Sequence, residues 1–358
     1  MPGKYILNKQ QSNKVSMRTS RWVLFSFFSV VLCYVQAQDP VFSQFYASPL
    51  QLNPAMAGVS TAPRIVLNYR NQWPEWPNAY RTYALSYEQP LAEMNSGFGL
   101  SMLADDAGNG IYQTLAVHLV YSYFLRLSDD YSVKFGLEGG GLQSRVDWSK
   151  LVFGDQLNPI SGPTLPDGST LPSEEKQPTG LQKTVFDLGM GMVLHSRAVY
   201  AGFALRHLNR PDESLLATSD NLLIGRPMRF TAHAGWNIGY AKGDHLRYPA
   251  VVSPNIQLVR QADFTQVNMG AFLGYDLFFG GLWYRHSNAN PDAFIALLGV
   301  RQGAMRFGYS YDATLSSLGI ARTGGTHEIS LSFSLEDRLA NRNRRKSANI
   351  NDCFQIFR

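Results

Sequence analysis

Thr326-His327-Glu328-Ile329-Ser330-Leu331-Ser332-Phe333-Ser334-Leu335-Glu336 alternates without a break. His327, Ile329, Leu331, Phe333 and Leu335 fall on one side. Thr326, Glu328, Ser330, Ser332, Ser334 and Glu336 fall on the other. Successive side chains of a strand point to opposite faces, so this stretch reads as a strand with one apolar and one polar face. A closed ring of such strands satisfies every backbone hydrogen bond and turns only its apolar side to lipid.

The same rhythm runs back through the chain. Arg64, Val66, Asn68 and Arg70 alternate with Ile65, Leu67 and Tyr69. Segments of this kind are predicted at 64–70, 79–88, 97–104, 112–126, 131–139, 184–194, 198–207, 230–240, 251–260, 264–276, 278–286, 293–301, 305–311 and 326–336. The reading is an all-β, antiparallel transmembrane barrel of the outer-membrane type. It would have about fourteen strands (roughly twelve to sixteen), an even number as in bacterial barrels. Many segments reach the roughly 9–11 residues a tilted strand needs to cross a bilayer. Tyr87, Tyr121, Tyr123, Tyr131, Tyr240, Trp283 and Tyr284 lie near predicted strand ends, where a headgroup girdle would sit. A β-sandwich would instead need its apolar faces to meet in one core.

Residues 1–37 read as a cleaved leader. Arg18 and Arg21 precede an apolar run from Trp22 to Val35, and Val35-Gln36-Ala37 fits a small-residue cleavage site. Translation could begin at Met1 or at Met17. The run falls short of the roughly 20 residues of a membrane helix. Cys33 follows Leu32, where a lipidation site wants a small residue. The leader holds five of the 32 basic residues and no acid. The remaining chain therefore carries 27 basic and 27 acidic residues and no formal charge. Nucleic-acid binding loses its compositional support. Cys353 is then the one remaining thiol, which excludes an internal disulfide framework.

Three stretches stand outside the strand pattern. Residues 38–61 precede the barrel at 62–337, and Pro40, Pro49 and Pro54 break any long helix there, leaving an extended segment or a short helical turn. Residues 148–182 hold five prolines and form a long loop. A basic tail, 338–358, follows the last strand and is either solvated or a docking tail. Ala104 to Gly110 reads as a tight turn rather than a calcium loop.

Catalytic signals are weak. No histidines stand at metal-ligand spacing with Glu or Cys, and no G-x-S-x-G nucleophile motif occurs. His118, His195 and His207 could serve a hydrolase only in principle. His118 and His233 sit on polar strand faces, where a hydrogen-bonded lumen histidine is the simpler reading. No cofactor and no enzymatic activity are expected.

Several stretches together resemble the PorP/SprF family of outer-membrane proteins of the Bacteroidetes type IX secretion system. They are Gln38-Asp39-Pro40-Val41-Phe42-Ser43-Gln44-Phe45-Tyr46 with Pro49, Leu52-Asn53-Pro54-Ala55 and Ala57-Gly58; Asn68 to Trp73; Asp105 to Gly110, with Gly108; Asp147 to Asp155, with Trp148 and Phe153; Gly308 to Asp312; and Gly325 to Leu331. The chain departs from relatives that end in Cys-Pro, since Phe354 follows Cys353.

The resemblance implies a barrel that supports export or surface attachment of proteins with type IX C-terminal signals, gliding adhesins among them. Implied partners are outer-membrane lipid, the periplasmic lipoprotein ring, a peptidoglycan-binding lipoprotein and the exported substrate. It makes Phe42, Gln44, Phe45, Tyr46, Pro49, Asn53, Pro54 and Gly58 candidates for a plug or partner-docking strap, or for a strap that closes the barrel floor. Asp105, Gly108, Trp148, Phe153 and Asp155 are candidates as turn and loop residues. The alternative function is an outer-membrane porin or ligand-specific transporter.

Overall fold

A computed structural model describes residues 38–60, 62–76, 79–157, 171–177, 180–215, 225–241, 250–288, 292–315 and 323–335. The expected leader, the basic tail with Cys353, Glu336 and part of the long loop lie outside these residues.

Among the described residues, fifteen strand segments form one antiparallel sheet. They are β1 Arg64–Gln72, β2 Tyr80–Leu91, β3 Ser96–Ala107, β4 Tyr112–Arg126, β5 Ser132–Val146, β6 Gln182–His195, β7 Val199–Arg206, β8 Arg229–Trp236, β9 Ile238–Ala241, β10 Ala250–Gln261, β11 Phe264–Tyr275, β12 Phe278–Ser287, β13 Ala293–Gln302, β14 Met305–Thr314 and β15 Thr326–Ser334. β8 and β9 both pair with β10 and are one strand interrupted at Asn237. At that break the Asn237 amide N–H donates to the Ala198 carbonyl at 2.7 Å, and Asn237 Oδ1 accepts from Ser253 Oγ at 2.6 Å.

The sheet closes into a barrel of fourteen strands. β1 pairs with β15 from Arg64↔Ser334 to Gln72↔Thr326, and β10 pairs with β11. Closure leaves no open edge, the condition for a sheet to sit in lipid. No described helix is long and apolar enough to cross a membrane. Leu67, Leu119, Phe186, Leu282, Phe294 and Leu298 point outward and are exposed. Their inward neighbours, such as Arg70, Ser122, Asp187, Arg285 and Ser310, are buried. The apolar surface therefore faces out and the polar surface in, the reverse of a water-soluble fold.

The two rims differ. One carries the short turns at 92–95, 127–131, 196–198, 276–277 and 303–304, and both ends of the barrel wall, Arg64 and Ser334. The other carries the long connections 147–181 and 207–228 together with short ones such as 108–111 and 262–263. In bacterial barrels short turns face the periplasm and longer loops the exterior.

Three expectations need correction. Asp105 and Asp106 belong to β3, not to a turn, because they continue the β2–β3 ladder (Thr82↔Asp105, Arg81↔Asp106) and Thr82 Oγ1 donates to Asp105 Oδ1 at 2.6 Å. The turn itself is tighter, with Gly108, Asn109 and Gly110 all at positive φ. β5 runs seven residues past the predicted Gly139, to Val146. Its run of glycines has no side chains to alternate, and a Cβ on Gly140 would lie 1.9 Å from the Val117 carbonyl oxygen of β4. Trp283 is no girdle residue: it is buried inside the barrel. Of the other expected girdle residues Tyr123 and Tyr131 lie exposed toward the short-turn rim, and Trp236 and Tyr275, which were not expected there, lie exposed toward the same rim.

Candidate functional site

The lumen is occupied by the chain's own residues 38–60. This strap is a series of short turns, since Pro49 and Pro54 allow a helix to start but not to continue. It has 3-10 turns at Phe45–Ala47 and Pro54–Met56, with one helical turn, Pro49–Leu52, between them. It enters the wall at the short-turn rim, and its first described residues reach the opposite rim.

At the long-loop rim Asp39 is buried among cations. His207 Nε2 lies 2.7 Å from Asp39 Oδ2, Arg226 Nε 3.4 Å from Oδ1 and Arg229 NH1 3.6 Å from Oδ2. The Asp39 amide N–H donates to Gln261 Oε1 at 2.9 Å. His207 turns its other nitrogen to Asp187 Oδ1 at 3.0 Å, and His118 Nε2 meets Asp187 Oδ2 at 3.0 Å. With a carboxylate at each ring nitrogen, the imidazolium is the form of His207 that fits. Burial opposes that charge, but Asp39 and Asp187 outweigh it and hold the His207 pKa up at about 9. Burial likewise opposes the Asp39 charge, yet Arg226, His207 and Arg229 hold its carboxyl well below the usual range. His207 has φ +57°, a left-handed backbone that a non-glycine residue keeps only when its surroundings fix it.

Below this lies a second ionic cluster. Ser43 Oγ accepts from Arg70 NH1 at 2.7 Å and Arg285 NH2 at 2.6 Å, and donates to Asp312 Oδ2 at 2.6 Å. The amides of Ser43 and Gln44 donate to the two oxygens of Glu328 at 2.8 and 2.9 Å. Gln44 Nε2 donates to the Glu328 carbonyl at 2.9 Å, and Gln44 Oε1 accepts from Ser330 Oγ at 2.6 Å. Arg70 and Arg285 face Asp312 and Glu328, so charge balances within a buried volume, which is what makes it tolerable.

The apolar part of the strap fills the middle. The Tyr46 ring stacks on Trp283 with centroids 6.0 Å apart, and Phe45 meets Trp283 edge-on at 6.4 Å. Phe42, Pro49 and Pro54 are also buried. Burying Phe45, Tyr46, Leu50 and Met56 contributes roughly 1.5–3 kcal/mol each. Asn53 caps the turn at Pro54–Met56 by accepting the Ala55 N–H at 2.9 Å. Its amide nitrogen donates to the carbonyls of Met192 (3.2 Å) and Phe203 (3.0 Å), and to His233 Nε2 at 3.1 Å. Arg206 binds the Leu50 and Gln51 carbonyls while pairing with Glu138. Lys134 and Ser122 both donate to the Ala57 carbonyl, at 2.8 and 2.7 Å. Gly58, at φ +66°, lies against Gly97 of β3: a Cβ on Gly97 would meet the Ala57 carbonyl oxygen at 2.3 Å.

Phe42, Gln44, Phe45, Tyr46, Pro49, Asn53, Pro54 and Gly58 are thus brought together in the lumen. Trp148, Phe153 and Asp155 are not. They lie in the β5–β6 connection, where the Trp148 and Phe153 rings are 4.8 Å apart and Asp155 accepts from Ser173 and the Glu174 amide. Sequence reasoning missed Asp39 and Ser43 as contact residues of the strap, and Arg70, Asp187, Arg206, Arg226, Arg229, Arg285, Asp312 and Glu328 as the residues around them. The available signal was a set of charges on the polar faces of strands, too many for a lumen whose charges are not paired. Among the described residues no group of three His, Cys, Asp or Glu side chains could hold a metal ion.

No curated protein matches the chain. Solved structures with a similar fold include a TodX ΔS2S3 mutant monoaromatic hydrocarbon channel (11% identity, 79% of this chain and 92% of that one, TM-score 0.44). Others are the Acinetobacter baumannii outer membrane protein Omp33 (8%, 77% and 99%, TM-score 0.40) and a Pseudomonas aeruginosa FadL homologue (12%, 76% and 90%, TM-score 0.37). The sequence profile described as type IX secretion system membrane protein PorP/SprF matches residues 34–333, which takes in the lumenal strap and nearly all of β15. The chain belongs to the PorP/SprF family of type IX secretion system membrane proteins.

Proposed function

We propose that this barrel supports export or surface attachment of proteins bearing type IX C-terminal signals, gliding adhesins or similar cargo. It does so as an anchored, plugged component rather than as a passive pore. Family membership over 34–333 supports the secretion role. The observation that carries the choice against a porin is the lumen, filled along its length by residues 38–60 with buried ion pairs and stacked aromatics. In this reading a leader ending at Ala37 is removed on the way to the outer membrane. The short-turn rim meets the periplasmic lipoprotein ring and a peptidoglycan-binding lipoprotein, and the strap couples those partners to the lumen.

Loss of the gene should deplete signal-bearing proteins from the cell surface and the medium. The parent chain should restore them. A variant lacking Phe42–Gly58 should insert as a heat-modifiable barrel without restoring them. Normal secretion in the gene-deletion strain would remove the proposal.

A further inference from the structure

The pocket around Asp39 is built for a carboxylate independently of who supplies it. Three of its walls are cations or donors from the barrel and its loop: His207 at 2.7 Å, Arg226 at 3.4 Å and Arg229 at 3.6 Å. Two of these have a second anion of their own, Asp187 for His207 and Glu213 for Arg226 at 3.1 Å. Arg229 differs. Among the described residues its only ion-pair partner is Asp39, and its other polar contact is the Pro40 carbonyl at 3.3 Å. Both belong to the strap. The Arg229 side chain is only 7% exposed, and its buried Nε has no hydrogen-bond partner. When the strap withdraws, this guanidinium loses its ion-pair partner and faces the opened lumen, where a soluble anion can reach it. Three clustered cationic side chains at the vacated position then favour the entry of another anion.

From this we infer that His207, Arg226 and Arg229 form a carboxylate-binding site in the lumen. The tethered Asp39 fills it in the closed barrel, and a free carboxylate, such as that of an acidic peptide, can take its place. The geometry suits a carboxylate because its two oxygens face different donors, Oδ1 toward Arg226 and Oδ2 toward His207 and Arg229. The inference stands on the lumen alone and does not depend on the secretion role.

The test uses the full chain in detergent or nanodiscs, with Cys353→Ser and a reporter Ser48→Cys. Ser48 is 2% exposed in the closed lumen, so thiol labelling there reports withdrawal of the strap. Asp39→Gly should speed labelling by about tenfold or more. Acetate or formate should slow it back toward the parent rate, whereas chloride at the same ionic strength should not. Adding Arg229→Gln should abolish the acetate effect, with heat-modifiable mobility confirming that the barrel is folded. In the parent chain, excess peptide should compete with Asp39 and speed labelling. An aspartyl peptide with an amidated end and a neutral peptide with a free end distinguish side-chain from chain-terminal ligands. Unchanged labelling on Asp39→Gly, equal rates in acetate and chloride, acetate protection that survives Arg229→Gln, or no competition by either peptide would each overturn the inference.

Discussion

The imidazole of His207 lies 2.7 Å from the Asp39 carboxylate and 3.0 Å from that of Asp187, so one wall-side residue ties the start of the strap to β6. The relation is electrostatic as well as geometric, because each partner holds the other in its charged form.

Seating of the strap should therefore depend on pH in a defined window. The His207 pKa is raised from 6.5 to about 9, so its contribution is complete below 6.5 and is lost as pH rises through about 9. The Asp39 pKa is lowered from 3.8, so its contribution is complete above 3.8 and is lost as pH falls through the lower, folded value. The groups facing this pair are Asp187 with His118 behind it, Arg226 with Glu213, and Arg229. Labelling of Ser48→Cys, normalised to the thiolate fraction of free cysteine, should stay flat from about pH 4 to 6.5, rise between about 6.5 and 9, and level off above that. His207→Gln should remove the rise.

Packing of the strap against the wall should tolerate no added atom at Gly136. A Cβ there would lie 2.2 Å from the Ala55 amide nitrogen, a backbone atom that cannot rotate away. Gly136→Ala should loosen the strap by about 1–3 kcal/mol while the barrel still forms. A Cβ on Gly141 would meet nothing within 4 Å, and Gly141→Ala should leave labelling of Ser48→Cys within about 0.5 kcal/mol of the parent.

Glu328 accepts two strap amides and balances Arg70, so Glu328→Gln should expel the strap. The expected loss is roughly 3–5 kcal/mol, the range for breaking a buried pair. Combining it with Arg70→Gln should cost less than the sum of the two single changes, because the unpaired charge is removed with its partner. A double-mutant cycle on the labelling rate measures both.

On the outer face Leu282 is 72% exposed at the middle of β12. Leu282→Arg should impair membrane insertion by about 2–4 kcal/mol while leaving strap contacts intact. The yield of heat-modifiable barrel in vesicles reads the effect.

The wall was legible because each strand writes its two faces into the sequence. Thr326 to Ser334 needs no partner to be recognised, and all fourteen predicted segments have counterparts in the barrel. Boundaries failed where the side-chain signal failed. Gly139-Gly140-Gly141 hid the second half of β5, and Asp105-Asp106 has a turn-like composition although the pair is held in the ladder beside Thr82 and Arg81. The lumen was far less legible. Glu328 could be placed on a polar face, but the amides it accepts, Ser43 and Gln44, stand 285 and 284 residues away in the chain. Asp39 was visible as part of a motif, while the cations that hold it come from the β7–β8 connection and β8, and only ring closure brings them to one rim. Trp283 was read as a girdle residue and instead turns inward, because it shares the inward parity of β12 with Arg285 and Ser287, and there it stacks on Tyr46.

Ion conductance in planar bilayers tests the central claim, that residues 38–60 close the lumen. The full chain should give little steady current, and the variant lacking Phe42–Gly58 a large and lasting one. Equal conductance from the two proteins, whether both open or both closed, would contradict it.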